Sequence, residues 1–385
     1  MYYKNLDEEK VVSVYFKYYR QNLYFEKAIR YDEIYFSSNE ELNDPLDLAF
    51  TPYFDDNEVA WEKLLQVKPK VEMLNIALYL DTTSHELASE LNSIFKGSTL
   101  AYQQTIKSLI DSKNKELKRI FIKHINNAIE SEYTSDKNSN FSNFDTEAKA
   151  EMCILFLTEI LSRGWSKKFY SCSFSKNALE PKMWAHYADG FKGCVIIYES
   201  DENSSIKLKP HFSSIEYVPY AFSKVQYTNI EKKLSILEYM LNNNIVSSPL
   251  LTKNSFWSYE QEYRLLLSEE FNSIHLAQMD KMPTTNSRER IFYHLQESII
   301  GIIFGARCSN DYKDKIRAIL GEKRSYIKSK GFYSFDTELT TDGKVVIKSG
   351  SICRSMKEAS SQVYDEILEG DRLNKCLIQL RISFD

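Results

Sequence analysis

Glycine and proline are scarce in this chain, eleven and eight among 385 residues. That scarcity excludes a collagen-like or linker-dominated polypeptide and argues against extensive disorder. The six cysteines, Cys153, Cys172, Cys194, Cys308, Cys353 and Cys376, form no CxxC pair and stand in no tight Cys/His cluster. This makes a structural zinc site unexpected, and no metal is expected. No apolar run approaches the roughly 18 residues that a membrane span needs. The first residues, MYYKNLDEEKVV, lack the basic start of an export signal. The expectation is therefore a cytoplasmic protein with reduced thiols and no membrane partner. An excess of positive charge is missing too: the formal net charge is -5, so nucleic-acid binding would require a local patch. Lys107 to Lys123 and Lys313 to Lys330 are the two basic stretches, but acidic residues interrupt both, as on solvated helix faces.

What is abundant is apolar and aromatic material, 43% and 14% of the residues, ample for a core. Hydrophobic spacing predicts strands near 34–37, 169–174, 194–198, 263–267, 299–304 and 345–352, with a strand or helix over 11–19. Between them the period is helical over 58–132. Asp145 is placed to cap a further helix that Gly164 stops, and Pro181 opens a short helix closed by Gly190. Helices are also expected over 229–243, 310–320 and 356–368, and a mobile polar loop over 131–144. Because strands lie on both sides of the helical block, the simplest architecture is α+β: one mixed or mostly antiparallel sheet interrupted by a large insertion. This gives one domain over 1–385, a helical insertion lobe over 58–164, and a tail over 353–385 whose role is open.

Four islands combine polar and aromatic residues. Phe36-Ser37-Ser38 leads into Leu42-Asn43-Asp44-Pro45 and Asp47, a strand running into a rigid turn; Asn43 and Asp44 are either site groups or local turn and cap formers. Ser173-Phe174-Ser175 precedes Met183-Trp184-Ala185-His186-Tyr187. Trp184 and Tyr187 share a helix face suited to packing, whereas His186 points elsewhere as a candidate base. Trp257 precedes Glu260-Gln261-Glu262-Tyr263-Arg264. If extended, this segment sends Glu260, Glu262 and Arg264 to one face, either as an exposed ion pair or as a carboxylate gripped by a guanidinium. Phe304-Gly305-Ala306-Arg307 closes a buried strand where backbone or ligand can come close.

Taken in this order, and together with Tyr15-Phe16-Lys17-Tyr18, the islands resemble a widespread bacterial family known only as domain of unknown function twenty-nine seventy-one, over roughly residues 11–310. The family includes abortive-infection-type phage-defence proteins, so the resemblance implies a bacterial, defence-related or toxin-type setting. Some relatives open with a His-Tyr-Thr-like element similar to the nicotinamide site of ADP-ribosyltransferases; here that place reads Lys17-Tyr18-Tyr19. What this implies is an ADP-ribosyltransferase-like fold acting on NAD. Glu262 would be the charge-stabilising carboxylate, with Arg264 orienting it and His186 as a further catalytic candidate. Lys17, Tyr18, Asn43, Asp44, Trp184, Tyr187 and Arg307 would hold the dinucleotide, with Lys192 near its pyrophosphate. The acceptor would be an unidentified protein or nucleic acid. Two other readings stand beside it: a metal-dependent nuclease or phosphodiesterase using Asp44, Asp47, Glu260 and Glu262, and a noncatalytic sensor or partner-binding module.

Overall fold

A computed structural model describes residues 13–66, 84–101, 104–130, 145–165, 167–242, 247–283, 286–321, 331–355 and 363–382. Its centre is an open sheet of nine strands. In spatial order these are Val363–Leu368, Val345–Ser355, Phe332–Leu339, Ile299–Phe304, Cys194–Glu199, Val14–Tyr19, Lys167–Ser175, Glu262–Glu270 and Ser223–Lys224. Ile299–Phe304 and Phe332–Leu339 run parallel, and every other neighbouring pair is antiparallel. The expected α+β class with a mixed, mostly antiparallel sheet is what is found.

Residue alternation explains why the centre of this sheet is apolar on both faces. Along the strands at 14–19, 194–199 and 299–304, Tyr15, Ile196, Tyr198, Ile302 and Phe304 enter one core. Val14, Phe16, Val195, Ile197 and Ile303 enter the other. The first core is closed by helices Leu23–Tyr31 and Asn310–Gly321, which contribute Phe25, Ile29, Ile316 and Ile319. Trp184, from helix Pro181–Tyr187, seals the second.

Two glycines fix that short helix against the strand ends. A Cβ on Gly193 would lie 2.0 Å from the Tyr19 carbonyl oxygen, and one on Gly305 would lie 2.2 Å from that of Phe191. Without side chains the two segments close together, and the Gly305 amide donates to the Gly193 carbonyl at 3.0 Å.

Helices Glu58–Leu65, Ser84–Phe95, Ile106–Glu130 and Thr146–Gly164 gather around a core of their own that also takes in Phe54, Ile236 and Leu237. Asp145 caps the last of them, its Oδ1 accepting from the Ala148 amide at 2.6 Å. Three basic residues of the long helix are paired: Lys107 with Asp111 and Asp280, Lys118 with Glu147 and Glu151, Lys123 with Glu90. Among the described residues no helix is long and apolar enough to cross a membrane. The loop expected over 131–144 lies outside them.

Two helix expectations are corrected. Over 229–243, Lys233–Ser235 pairs with Thr51–Tyr53 as a strand, and only Ile236–Leu241 is helical, started by the Ser235 hydroxyl, which accepts from the Glu238 amide. In the tail, residues 356–362 of the expected helix lie outside the described residues, Val363–Leu368 is an edge strand on Val345–Ser355, and a helix follows at Gly370–Gln379. In both places a neighbouring strand offered backbone pairing that outweighed a weak helical period. A second sheet of four short strands, Glu33–Tyr35, Ile291–His294, Ser205–Lys209 and Val218–Ala221, supports the turn that follows Tyr35.

Candidate active site

Three of the four islands, joined by Lys17 and Tyr18, meet around one cavity of about 230 Å³; Phe304-Gly305-Ala306-Arg307 does not line it. Lys17 and Tyr18 reach it from strand Val14–Tyr19, Ser173 and Ser175 from Lys167–Ser175, and Met183 and Tyr187 from helix Pro181–Tyr187. Asn43, Asp44 and Asp47 come from the turn after Tyr35, Glu260 from the end of the 3-10 turn Ser255–Glu260, and Glu262 from the first position of strand Glu262–Glu270. Antiparallel pairing makes this convergence possible: Phe16 lies opposite Ser175, and Ser175 opposite Glu262.

The Asn43 turn is held from behind. Ser38 and Glu41 form a capping box, and the Arg290 guanidinium grips Glu41 at 2.6 and 3.1 Å while the Tyr35 hydroxyl donates to it at 2.7 Å. Burial works against the charge on Glu41, but these bonds hold its carboxyl down at about 2. The following Asp47 is 3% exposed, its Oδ1 accepting from the Leu48 amide at 2.9 Å.

At the floor lies a buried ionic network. The Arg264 side chain, 0% exposed, donates from Nε to Glu262 at 2.7 Å and from Nη2 to Glu262 and Asp47 at 2.9 and 2.7 Å; its Nη1 donates to the Leu250 carbonyl. Lys253 meets Glu260 at 2.7 Å and both Glu262 and Asp47 at 3.2 Å. Tyr187 donates to Glu260 at 2.6 Å, and the Tyr227 hydroxyl accepts from the Glu262 amide at 2.8 Å. Three carboxylates thus face two cations in this network.

The two glutamates are set apart by their neighbours. Burial disfavours charge on both. The Arg264 guanidinium, then Lys253, overcome it at Glu262 and hold that carboxyl at about 2. At Glu260 burial prevails, reinforced by the charge of Glu262 against the pull of Lys253, and its proton affinity is raised. Burial and the charge of Glu260 likewise keep the Tyr187 phenol protonated. A carboxylate kept ionised beside one inclined to hold a proton is the arrangement by which a site divides electrostatic and acid–base roles.

Glu260 reaches this place by a route the strand reading did not anticipate. Ser255–Glu260 is a 3-10 turn and Gln261 is left-handed at φ 44°, so Glu260 is not two positions along the same strand. The twist at Gln261 returns both carboxylates to Lys253.

Of the remaining candidates, Tyr18 lines the cavity and the others do not. Tyr18 donates to the Asn177 carbonyl at 2.8 Å, and its ring stands edge-on to Trp184 at 5.5 Å. Trp184 itself is core, 0% exposed, its indole donating to the Ala178 carbonyl, so it supports Tyr18 and does not line the cavity. Arg264 lies behind Glu262 as a positioning group. His186 is exposed and outside the cavity, and its backbone carbonyl accepts from Arg20 at 3.4 Å. Arg307 and Lys192 are exposed at the strand ends beside Phe191, away from the lining. Helix geometry accounts for His186: Trp184 must face the core, which turns the residue two positions on outward.

Lys253 is the functional candidate that sequence reasoning missed. It sits in the three-residue strand Thr252–Asn254 with no motif around it, and only the fold shows that it is 5% exposed among three carboxylates. Its partners also bear on metal chemistry. Asp47, Glu260 and Glu262 already receive Lys253 or Arg264, and among the described residues no group of three or more His, Cys, Asp or Glu is arranged to hold an ion.

Residues 183–265 match the family described as Protein of unknown function (DUF2971). The matched segment carries Tyr187, Lys253, Glu260, Glu262 and Arg264, while the Lys17 and Asn43 walls lie outside it. No curated protein and no solved structure matches the chain.

Proposed function

We propose that this protein is a bacterial defence or toxin-type effector that cleaves the N-glycosidic bond of NAD and transfers ADP-ribose to a protein or nucleic-acid acceptor. The observation that carries this reading is the buried Glu262, kept ionised by Arg264 and Lys253 at the floor of the cavity. Cleavage of this bond passes through a cationic, oxocarbenium-like sugar as the pyridinium leaves with the bonding electron pair. Fixed negative charge near the anomeric carbon stabilises that state more than the ground state. Arg264 holds the Glu262 carboxylate in orientation, Tyr187 and Lys253 hold Glu260, and Asn43 with Tyr18 line the wall against the ring. Lys17 and Arg20, also in the lining, are the cations suited to meet phosphate at its edge.

The test is incubation of the purified protein with NAD, alone and with a bacterial lysate. Release of nicotinamide is followed chromatographically, and adducts of ADP-ribose mass by mass spectrometry. Nicotinamide release that disappears in Glu262→Gln supports the reading. Intact NAD in both reactions would overturn it, and turnover appearing only with added divalent metal and a nucleic-acid substrate would turn the assignment to a nuclease.

A further inference from the structure

The active-site cavity is too small for a whole dinucleotide: about 230 Å³, below the roughly 300–1,000 Å³ of pockets that enclose drug-sized ligands. A second, larger cavity of about 580 Å³ adjoins it, and Asp44 and Lys253 line both. The second chamber is different in character. Phe50, Leu100 and Ala49 give it apolar surface, with Phe50 braced edge-on by Trp165 at 5.8 Å. Asn229 and Thr228 give it amide and hydroxyl groups. The Asn229 carbonyl oxygen accepts from Ser255, which leaves its amide nitrogen to donate, and the Thr228 oxygen accepts from the Ile230 amide, which leaves its proton to donate. Glu231 and Asp44 supply carboxylate acceptors.

Its cations are already engaged. The Lys232 ammonium donates to the Leu46 and Thr252 carbonyls at 2.6 and 3.4 Å, and that of Lys253 belongs to the three carboxylates of the neighbouring cavity. Phosphate would face the carboxylates of Glu231 and Asp44 here, with both ammonium groups already bonded to other acceptors. An uncharged nucleoside fits: a flat base against the apolar surface, amide and hydroxyl donors for its edge, and a carboxylate for the ribose diol.

We infer that the second chamber binds the uncharged nucleoside end of the ligand, while the acidic cavity across the Asp44–Lys253 wall takes its cationic ring. The inference rests on the proposed NAD chemistry for the identity of the ligand, but the chamber's preference is separable from turnover. The probes are adenosine, AMP and nicotinamide, measured by calorimetry on the full chain. Ala49→Trp fills the chamber and Asn229→Leu removes its amide without adding bulk, and unfolding midpoints are recorded for both. Adenosine should bind more tightly than AMP, lose at least tenfold in affinity in each variant that keeps its unfolding midpoint, and be displaced by NAD; nicotinamide affinity should stay unchanged. Absence of adenosine binding, affinity untouched by both substitutions, AMP binding tighter than adenosine, or simultaneous binding of adenosine and NAD would overturn the assignment. If adenosine behaves as expected in both variants but NAD is never cleaved, the chamber stands and the transferase reading falls.

Discussion

Replacing Glu262 by Gln nearly preserves shape and removes one charge from a network in which every member is buried. Gln keeps one oxygen to accept from Arg264, but its amide turns donors toward a guanidinium and an ammonium that are themselves donors. Breaking one partner of a buried ion pair costs about 3–5 kcal/mol. The substitution is therefore expected to lower the unfolding midpoint clearly. Its catalytic effect, if Glu262 stabilises developing charge, is a loss of about 10²–10³ in the rate of NAD cleavage. The two effects are separated by a second variant, Glu262→Gln with Asp47→Asn and Arg264→Met, which removes the guanidinium together with both carboxylates it serves and leaves Lys253 paired with Glu260. Replacing a buried pair by apolar packing is often neutral or stabilising, so stability should recover by several kcal/mol relative to the single variant. Activity should not. Both are measured on the same preparations, turnover by nicotinamide release and stability by urea unfolding. Recovery of activity along with stability would refute the electrostatic role and leave Glu262 a structural partner, as would full activity in the single variant.

Acid should act through the same residue. Because the Glu262 carboxyl lies at about 2 in the folded chain against an ordinary 4.5, its stabilising contribution is present above about pH 4.5 and is lost as pH falls toward 2; urea midpoints across this range should drop more steeply for the native chain than for Glu262→Gln. Lys253→Met leaves three carboxylates facing Arg264 alone and should destabilise by about 3–5 kcal/mol, read by thermal unfolding, with partial rescue in acid as Glu260 takes up a proton. His186→Ala, at an exposed position whose side chain does not line the cavity, should leave NAD turnover and stability within experimental error; a tenfold loss of rate would return His186 to the site. Gly193→Ala places a methyl group against the Tyr19 carbonyl and should cost about 1–3 kcal/mol in urea unfolding while disturbing the Pro181–Tyr187 helix.

The strands 194–199 and 299–304 were legible because continuous apolar runs bounded by glycine have few other uses, and Asp145 and Pro181 announced their helices through local capping chemistry that needs no tertiary partner. Trp184 could be read as packing from its helix face. Edge strands were not legible: Lys233–Ser235 and Val363–Leu368 are strands because a neighbour presents unpaired backbone, which no period in their own residues records. The site divides in the same way. Proximity of Glu262 and Arg264 in sequence implied their pairing, since strand alternation puts them on one face. What only the tertiary structure decided is that Asp47, some two hundred residues away, shares that guanidinium, that Lys253 lies between three carboxylates, and that a left-handed Gln261 brings Glu260 back to them. Local hydrogen bonds and side-chain periods are written in adjacent residues; the burial that makes those charges matter is a property of the whole fold.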